Sequence, residues 1–396
     1  MAEALKRRIG PGLLTAYGVG IMVGAGIYVL TGAAAGAAGV WAPLSFLLAA
    51  IVAVPTALSF SELAARIPEA AGDSSYVEVG LRRHGLAVAV GAVNVVAGTV
   101  AAAAVLRGGV GYLTSILDIP FVWGVLGLGA AMTLIALVGV LESLAFAALM
   151  TVIEVIGLTL VIAAGFAAAP VADWTAPPAP EWSGVAAATI FAFFAFIGFD
   201  DMVNMAEEAR EPERNMPRAI LGALAITGLL YMLVSLAAVR AVPREVLGAS
   251  ERPLALVWEA GMGTSAAFLA AIAVAAALNG VLAQIVMAAR VLFGLGKRSP
   301  GLSVFRHAHK RFGTPVLGTL VIGAAVTLSA LTLPVAVLAE ITTQALLIVF
   351  IIVNAALIGL KRQVPEGPFV VPMAVPVLGI VTCVATFMAS LIGGAS

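Results

Sequence analysis

Three groups of residues stand out for their chemistry in a chain that is otherwise apolar. Glu154 sits about twelve residues into an apolar stretch, where an ionised side chain costs roughly 2.5 to 3.5 kcal/mol on insertion scales. A carboxyl held there either gains and loses a proton as part of a working cycle or stays protonated and hydrogen-bonds a neighbouring helix. Asp200 and Asp201 follow the run Phe193-Phe194-Ala195-Phe196-Ile197-Gly198-Phe199. Consecutive helical residues point about 100° apart, so at most one of the two is expected to face an enclosed space, while the other suits the cap of the next helical segment. Asp200 is the expected second proton-linked group. The third group, Gly20-Ile21-Met22-Val23-Gly24-Ala25-Gly26-Ile27, has no side-chain chemistry. Its small residues permit the backbone to unwind, and its amides and carbonyls then become the polar groups.

Other chemistries lack their residues. Cys383 is the one cysteine, and the three histidines, His84, His307 and His309, fall in charged connectors. Neither a metal site nor a redox framework is expected, and no cofactor. A membrane-embedded enzyme would need a nucleophile with its base, or metal ligands, in the apolar stretches. Gly18-Val19-Gly20 starts like a dinucleotide fingerprint, but Val23 stands where its third glycine belongs. Lys+Arg and Asp+Glu balance at 21 each, so the basic field of a nucleic-acid binder is missing.

These groups must be positioned by elements suited to lipid. Of 396 residues 62% are hydrophobic and 11% charged, against roughly 25% charged in soluble domains. Hydropathy, read against Pro, Gly and charge breaks, predicts eleven spans near 12–38, 42–66, 85–116, 121–140, 142–169, 185–207, 217–241, 265–296, 315–333, 335–360 and 370–393. One transmembrane domain over 1–396 is expected. Sixteen Lys and Arg residues, among them Lys6, Arg7, Arg8, Lys310 and Arg311, fall in the N-terminal segment and alternate connectors, against Arg240, Arg244 and Arg252 on the other side. That asymmetry predicts a cytoplasmic N-terminus and, with an odd span count, an outer C-terminus at Ser396. Arg107 is expected to be structural and to snorkel outward. Glu62 and Arg66 read as a plain i,i+4 ion pair.

The two weak points, in the first and sixth spans, are five helices apart. A repeat of five returns upside down in the membrane, as in many secondary transporters. The repeats are expected over about 12–169 and 185–360, with 370–393 as an extra helix. Unwound backbone is tolerable in a membrane only where it lines a protected, hydrated cavity, so two breaks at corresponding positions predict one shared cavity. Half-helix N-termini attract an anion there and C-termini a cation, which suits a zwitterion. The amides of Gly24, Ala25 and Gly26 are expected to hold a carboxylate, and carbonyls near Met22, Phe194 and Ile197 an ammonium.

The run from Gly18 through Gly24-Ala25-Gly26-Ile27-Tyr28 to Gly32 is similar to the first-helix signature of the amino acid-polyamine-organocation transporter superfamily. The run from Phe194 through Gly198-Phe199-Asp200-Asp201 and Glu207-Glu208 to Pro212-Glu213-Arg214-Asn215-Met216-Pro217 resembles a second signature of that superfamily. The resemblance implies an all-α polytopic membrane protein with a five-plus-five inverted repeat (LeuT-like), discontinuous first and sixth helices, and an amino acid site between them. It implies the same roles for Met22, Gly24, Ala25, Gly26, Phe194 and Ile197, and favours Phe194 as a gate over bound substrate. Many members have twelve spans where eleven are read here, so no oligomeric state is implied. Ala71-Gly72-Asp73-Ser74-Ser75-Tyr76 departs from the family's Gly-Gly-x-Tyr turn at the cytoplasmic gate. Glu154 takes the position of a Lys thought to couple protons in relatives.

A sodium site between the first and eighth helices normally draws Ser or Thr hydroxyls from the eighth, and none occurs from Ala266 to Arg298. Asn279 and Gln284 are the neutral side-chain oxygens there, so a proton is expected over sodium as the coupling ion. The candidate cavity residues offer no fixed charge to pair with a charged substrate side chain, which points to neutral amino acids. The expected activity is proton-coupled symport by alternating access in the plasma membrane. An exchanger without net proton movement, a polyamine or other amine substrate, and a transport-incompetent amino acid sensor of the same fold remain open.

Overall fold

Prolines and glycines set many of the helix ends. In the computed structural model, residues 9–68, 72–138, 144–309 and 314–393 are described. Lys6, Arg7, Arg8, Ala71, Lys310, Arg311 and Ser396, which enter the orientation and gate expectations, lie outside them. Pro11 opens α1 (Pro11–Met22), and α2 (Ala25–Ala38) ends at Gly39, whose positive φ of +57° glycine adopts at little cost. The remaining helices are α3 (Ala42–Arg66), α4 (Gly72–Leu81), α5 (His84–Leu113), α6 (Phe121–Val138), α7 (Leu144–Ala167), α8 (Ala172–Thr175), α9 (Trp182–Phe196), α10 (Pro212–Ala241), α11 (Arg244–Gly248), α12 (Pro253–Met262), α13 (Ala267–Arg298), α14 (Val316–Thr332), α15 (Val335–Gln363) and α16 (Ala374–Gly393). Pro212 occupies the first turn of α10, where a missing N–H costs nothing. Lys297 and Arg298 close α13, and Lys361 and Arg362 close α15, at the helix ends that favour cations.

Among the described residues nine stretches are long and apolar enough to cross a membrane, the first of which, Gly26–Arg66, takes in most of α2 and all of α3. Pro11–Met22 and Val316–Thr332 are shorter apolar helices. The protein is an all-α polytopic membrane protein. Each expected span has its helices, the first as α1 plus α2 and the sixth as α9 plus a 3₁₀ turn at Asp201–Met205. The sequence reading missed α4, α8, α11 and α12, short connector helices. Span seven starts earlier than expected, at Pro212, because Pro217 sits inside α10 rather than opening it.

The helices pack as two groups. In one, α3 lies along α10 and α9, α1 lies on α10, and α2 on α9. In the other, α5 runs along α13, with α6 and α14 beside them. α7 touches α10, α1 and α13, and α15 touches α5 and α9, so these two helices bridge the groups.

Candidate functional site

Both expected interruptions are present, and each has a local cause. α1 stops at Met22, Val23 and Gly24 leave the helix, and α2 starts at Ala25. Gly24 has no side chain with which to cap α2, so its first-turn amides have no side-chain cap. In the sixth span α9 ends at Phe196 and residues 197–200 form a turn. Gly198 holds φ at +126°, where a side chain would be strained and would also run into Ile21. The Gly198 N–H donates to Asp200 Oδ1 at 3.0 Å, which fixes the turn. The half-helix α1 approaches α7 so closely at Gly20 that a Cβ there would collide with the Thr151 hydroxyl.

The breaks face a cavity of about 490 Å³ between the two helix groups. Met22, Gly24, Gly26, Phe194 and Ile197 line it from one side, Ala101, Val105, Ala276, Leu282 and Ala283 from the other, and Thr151 and Glu154 from α7. Ala25 opens α2 at the same break. A second cavity of about 650 Å³ shares Tyr17, Ile197, Asp201, Met205, Gln284 and Arg290 with the first and extends to Gly294 and Arg298 near the C-terminal end of α13. The space therefore continues toward that end of the molecule.

At the other end the groups meet. Phe194 is 6% exposed; its ring lies against Gly26, and it packs in the apolar cluster of Leu30, Val110, Val281 and Leu282. The Tyr112 hydroxyl donates to the Tyr28 carbonyl at 2.7 Å and accepts the Leu254 N–H of α12 at 3.3 Å. Gly248 of α11 rests on Gly36 of α2, backbone against backbone.

Glu154 is 4% exposed, and its Oε2 has no hydrogen-bond partner. Both neighbouring aspartates line the second cavity, where at most one was expected to face an enclosed space, because residues 197–200 form a turn whose side chains do not keep the 100° helical offset. Asp201 lines both cavities, whereas Asp200 lines only the second and accepts the Gly198 N–H. Besides Glu154, the lining of the first cavity holds the charged side chains Asp201, Glu208 and Arg290, which the sequence reading did not place there. In the second cavity Asp73 of connector helix α4 accepts the Asn94 amide at 2.8 Å. Burial, and after it the Asp200 carboxyl, push Asp73 up to about 7, with the Asn94 bond acting the other way.

The sequence reading missed Thr151 and Tyr231. Tyr231 of α10 is fully buried, and its hydroxyl lies on the carbonyls of Met22 and, at 3.1 Å, of Ala195. The Met22 carbonyl, expected to be open to an ammonium, is thus already engaged by a side chain of the protein. A signal existed in the i,i+4 series Thr227, Tyr231, Ser235 within an apolar span. Glu62 likewise does more than pair with Arg66, because Lys361 of α15 bonds both of its carboxylate oxygens. Arg107 donates to the Ala330 carbonyl at 2.8 Å and stacks over Phe121, a structural role. Among the described residues no group of three His, Cys, Asp or Glu side chains could hold a metal ion. What the arrangement offers is uncapped amides, carbonyl ends and a buried carboxyl with one oxygen lacking a partner, around a space of small-molecule size.

Residues 13–395 match the amino acid permease family. The chain is 26% identical over 388 residues to a branched-chain amino acid permease of Bacillus subtilis (strain 168), covering 92% of this chain and 83% of that one. It is 30% identical over 394 residues to human cationic amino acid transporter 4, covering 93% and 62% respectively, so it spans under two thirds of that protein's length. It is 28% identical over 418 residues to a methylthioribose transporter of Bacillus subtilis (strain 168), covering 99% and 90%. These relatives are transporters rather than enzymes. With a match over nearly its whole length and helices built to cross a bilayer, the chain is an integral membrane protein of the amino acid permease family, within the amino acid-polyamine-organocation superfamily.

Proposed function

We propose that the protein is a secondary active transporter of neutral amino acids, coupled to protons and working by alternating access. The observation that carries this reading is the convergence of two interrupted helices and the buried Glu154 carboxyl, whose Oε2 has no hydrogen-bond partner, on one cavity. The substrate carboxylate lies at the first-turn amides of α2, from Gly24, Ala25 and Gly26, and the ammonium at the carbonyl ends near Met22, Phe194 and Ile197. Ala101, Val105, Ala276, Leu282 and Ala283 offer an apolar wall to a neutral side chain. Phe194 acts as the gate, because it packs with the opposing helix group where the cavity ends.

The pairing of α1 with α10 and of α9 with α3 is the reciprocal relation that an inverted repeat of five requires. By charge asymmetry the N-terminus is cytoplasmic and the C-terminus outer, and the plasma membrane is the site of action. The continuous cavities then open inward, so this is an inward-open form. Glu154 changes protonation between the inward-open and outward-open forms, and Asp200 is a second proton-linked group.

The test is uptake by proteoliposomes of a panel of labelled amino acids under imposed proton or sodium gradients. A proton gradient is expected to drive concentrative uptake of neutral amino acids, and Glu154→Gln to abolish that coupling while leaving exchange. Pumping by Glu154→Gln that retains its pH dependence would remove the coupling role. A cationic substrate is the second reading, favoured by Asp201 and Glu208 in the lining. Competition by lysine and arginine stronger than by leucine or alanine would select it.

A further inference from the structure

We infer that Tyr231 is a positioning residue whose single O–H serves the carbonyls that a substrate ammonium takes over on binding. Met22 is the last residue of α1 and Ala195 the last but one of α9, so their carbonyls belong to the negative ends of both half-helices. One hydroxyl lies on both carbonyls, and it has one proton to give. A buried carbonyl left without a donor is costly, so before substrate binds these two carbonyls need this group where two helix ends converge. The Tyr231 ring is held in place by Phe46 at 6.0 Å and Phe196 at 5.3 Å between centroids. An α-ammonium brings three donors to the same carbonyls and takes over what the hydroxyl shared.

This inference rests on the cavity being the amino acid site. It predicts that Tyr231 weakens the contrast between an amino acid and its analogue lacking the α-amino group, because part of what the ammonium supplies is already present.

The experiment measures Kd for one transported amino acid and for its des-amino analogue in the full-length protein and in Tyr231→Phe, which keeps the ring. Loss of the hydroxyl leaves the ammonium as the donor at those carbonyls, and the ratio of the two Kd values is expected to rise roughly 5- to 10-fold. A purely structural role moves both Kd values together and leaves the ratio unchanged, which overturns the inference. Wild-type protein that binds no amino acid overturns both this inference and the reading of the site; binding with an unchanged ratio overturns this one alone. Should Tyr231→Phe fail to fold, 3-fluorotyrosine at position 231 provides the readout. Its fluorine resonance is expected to shift with the amino acid but not with the des-amino analogue, and equal shifts with both ligands count against the inference.

Discussion

The Lys361 ammonium of α15 lies 2.8 Å from each carboxylate oxygen of Glu62 on α3, across 299 residues of sequence. Glu62 is fully buried and Lys361 is 7% exposed. Arg66 completes the node 2.6 Å from Glu62 and reaches the carbonyls of Val364 and Glu366, while Glu62 also accepts the Val371 N–H at 2.8 Å. The segment leading into α16 is therefore clamped to the end of α3 by three charges.

That node orders the effects of its substitutions. Glu62→Gln leaves two cations without a counter-charge and is expected to cost about 3–5 kcal/mol, the usual size for breaking a buried pair from one side. Lys361→Met is expected to cost less, because Arg66 still faces Glu62. Thermal unfolding of the purified protein checks the order, and a lower Tm for Lys361→Met than for Glu62→Gln would contradict it.

Gly20 tests how closely α1 must approach α7. Gly20→Ala puts a methyl into Thr151 Oγ1, and overpacking of this kind costs about 1–3 kcal/mol. Uptake is expected to fall at least tenfold. Adding Thr151→Ala removes the colliding oxygen but leaves the Thr151 Cβ position 3.2 Å away, so the double variant should regain part of the activity. A double variant no better than Gly20→Ala would show that this contact is not the cause.

The places where the chain leaves helical geometry were legible because their causes are local. Gly24 and Gly26 stand two residues apart in the first span, and Gly198 stands within three residues of Asp200 and Asp201 in the sixth. What meets across the cavity was not legible. The Tyr231 hydroxyl and the Met22 carbonyl are 209 residues apart, and no periodicity in one span says which turn of another it touches. Glu62 was visible as a partner for Arg66 one turn away, whereas Lys361 needed the packing of α15 on α3. Asp200 and Asp201 were separable in principle by their 100° offset, but which one faces the cavity depends on the turn at Gly198, a conformation that a helical wheel does not contain.

Asp73, in the lining of the second cavity, gives the folded protein a pH dependence whose sign follows from its environment. Its carboxyl, pushed up to about 7 from the ordinary 3.8, keeps a proton in the folded protein that the unfolded chain releases. The stability it contributes is full below the ordinary value, falls as pH rises from there to about 7, and stays lost above. Asp73→Asn is expected to flatten this slope, so that the Tm difference between about pH 5 and pH 8 shrinks. An unchanged slope would mean that another group governs it.

Tyr112 ties the closed end together. Its hydroxyl serves the Tyr28 carbonyl on α2 and the Leu254 N–H on α12 at once, and Tyr112 itself is fully buried. Tyr112→Phe leaves a buried donor and a buried acceptor unmade, about 1–3 kcal/mol against the closed arrangement. If the closed end opens during the cycle, this loss shifts the equilibrium toward the form open there by roughly 5-fold or more. A reporter cysteine at Leu30, 1% exposed in the cluster that seals this end, reads the shift when Cys383 is replaced by alanine. Labelling of Leu30→Cys by a membrane-impermeant maleimide is expected to speed up in the Tyr112→Phe background. Equal rates in the two backgrounds would mean that the seal is made by the apolar cluster of Leu30, Phe194 and Val281 alone.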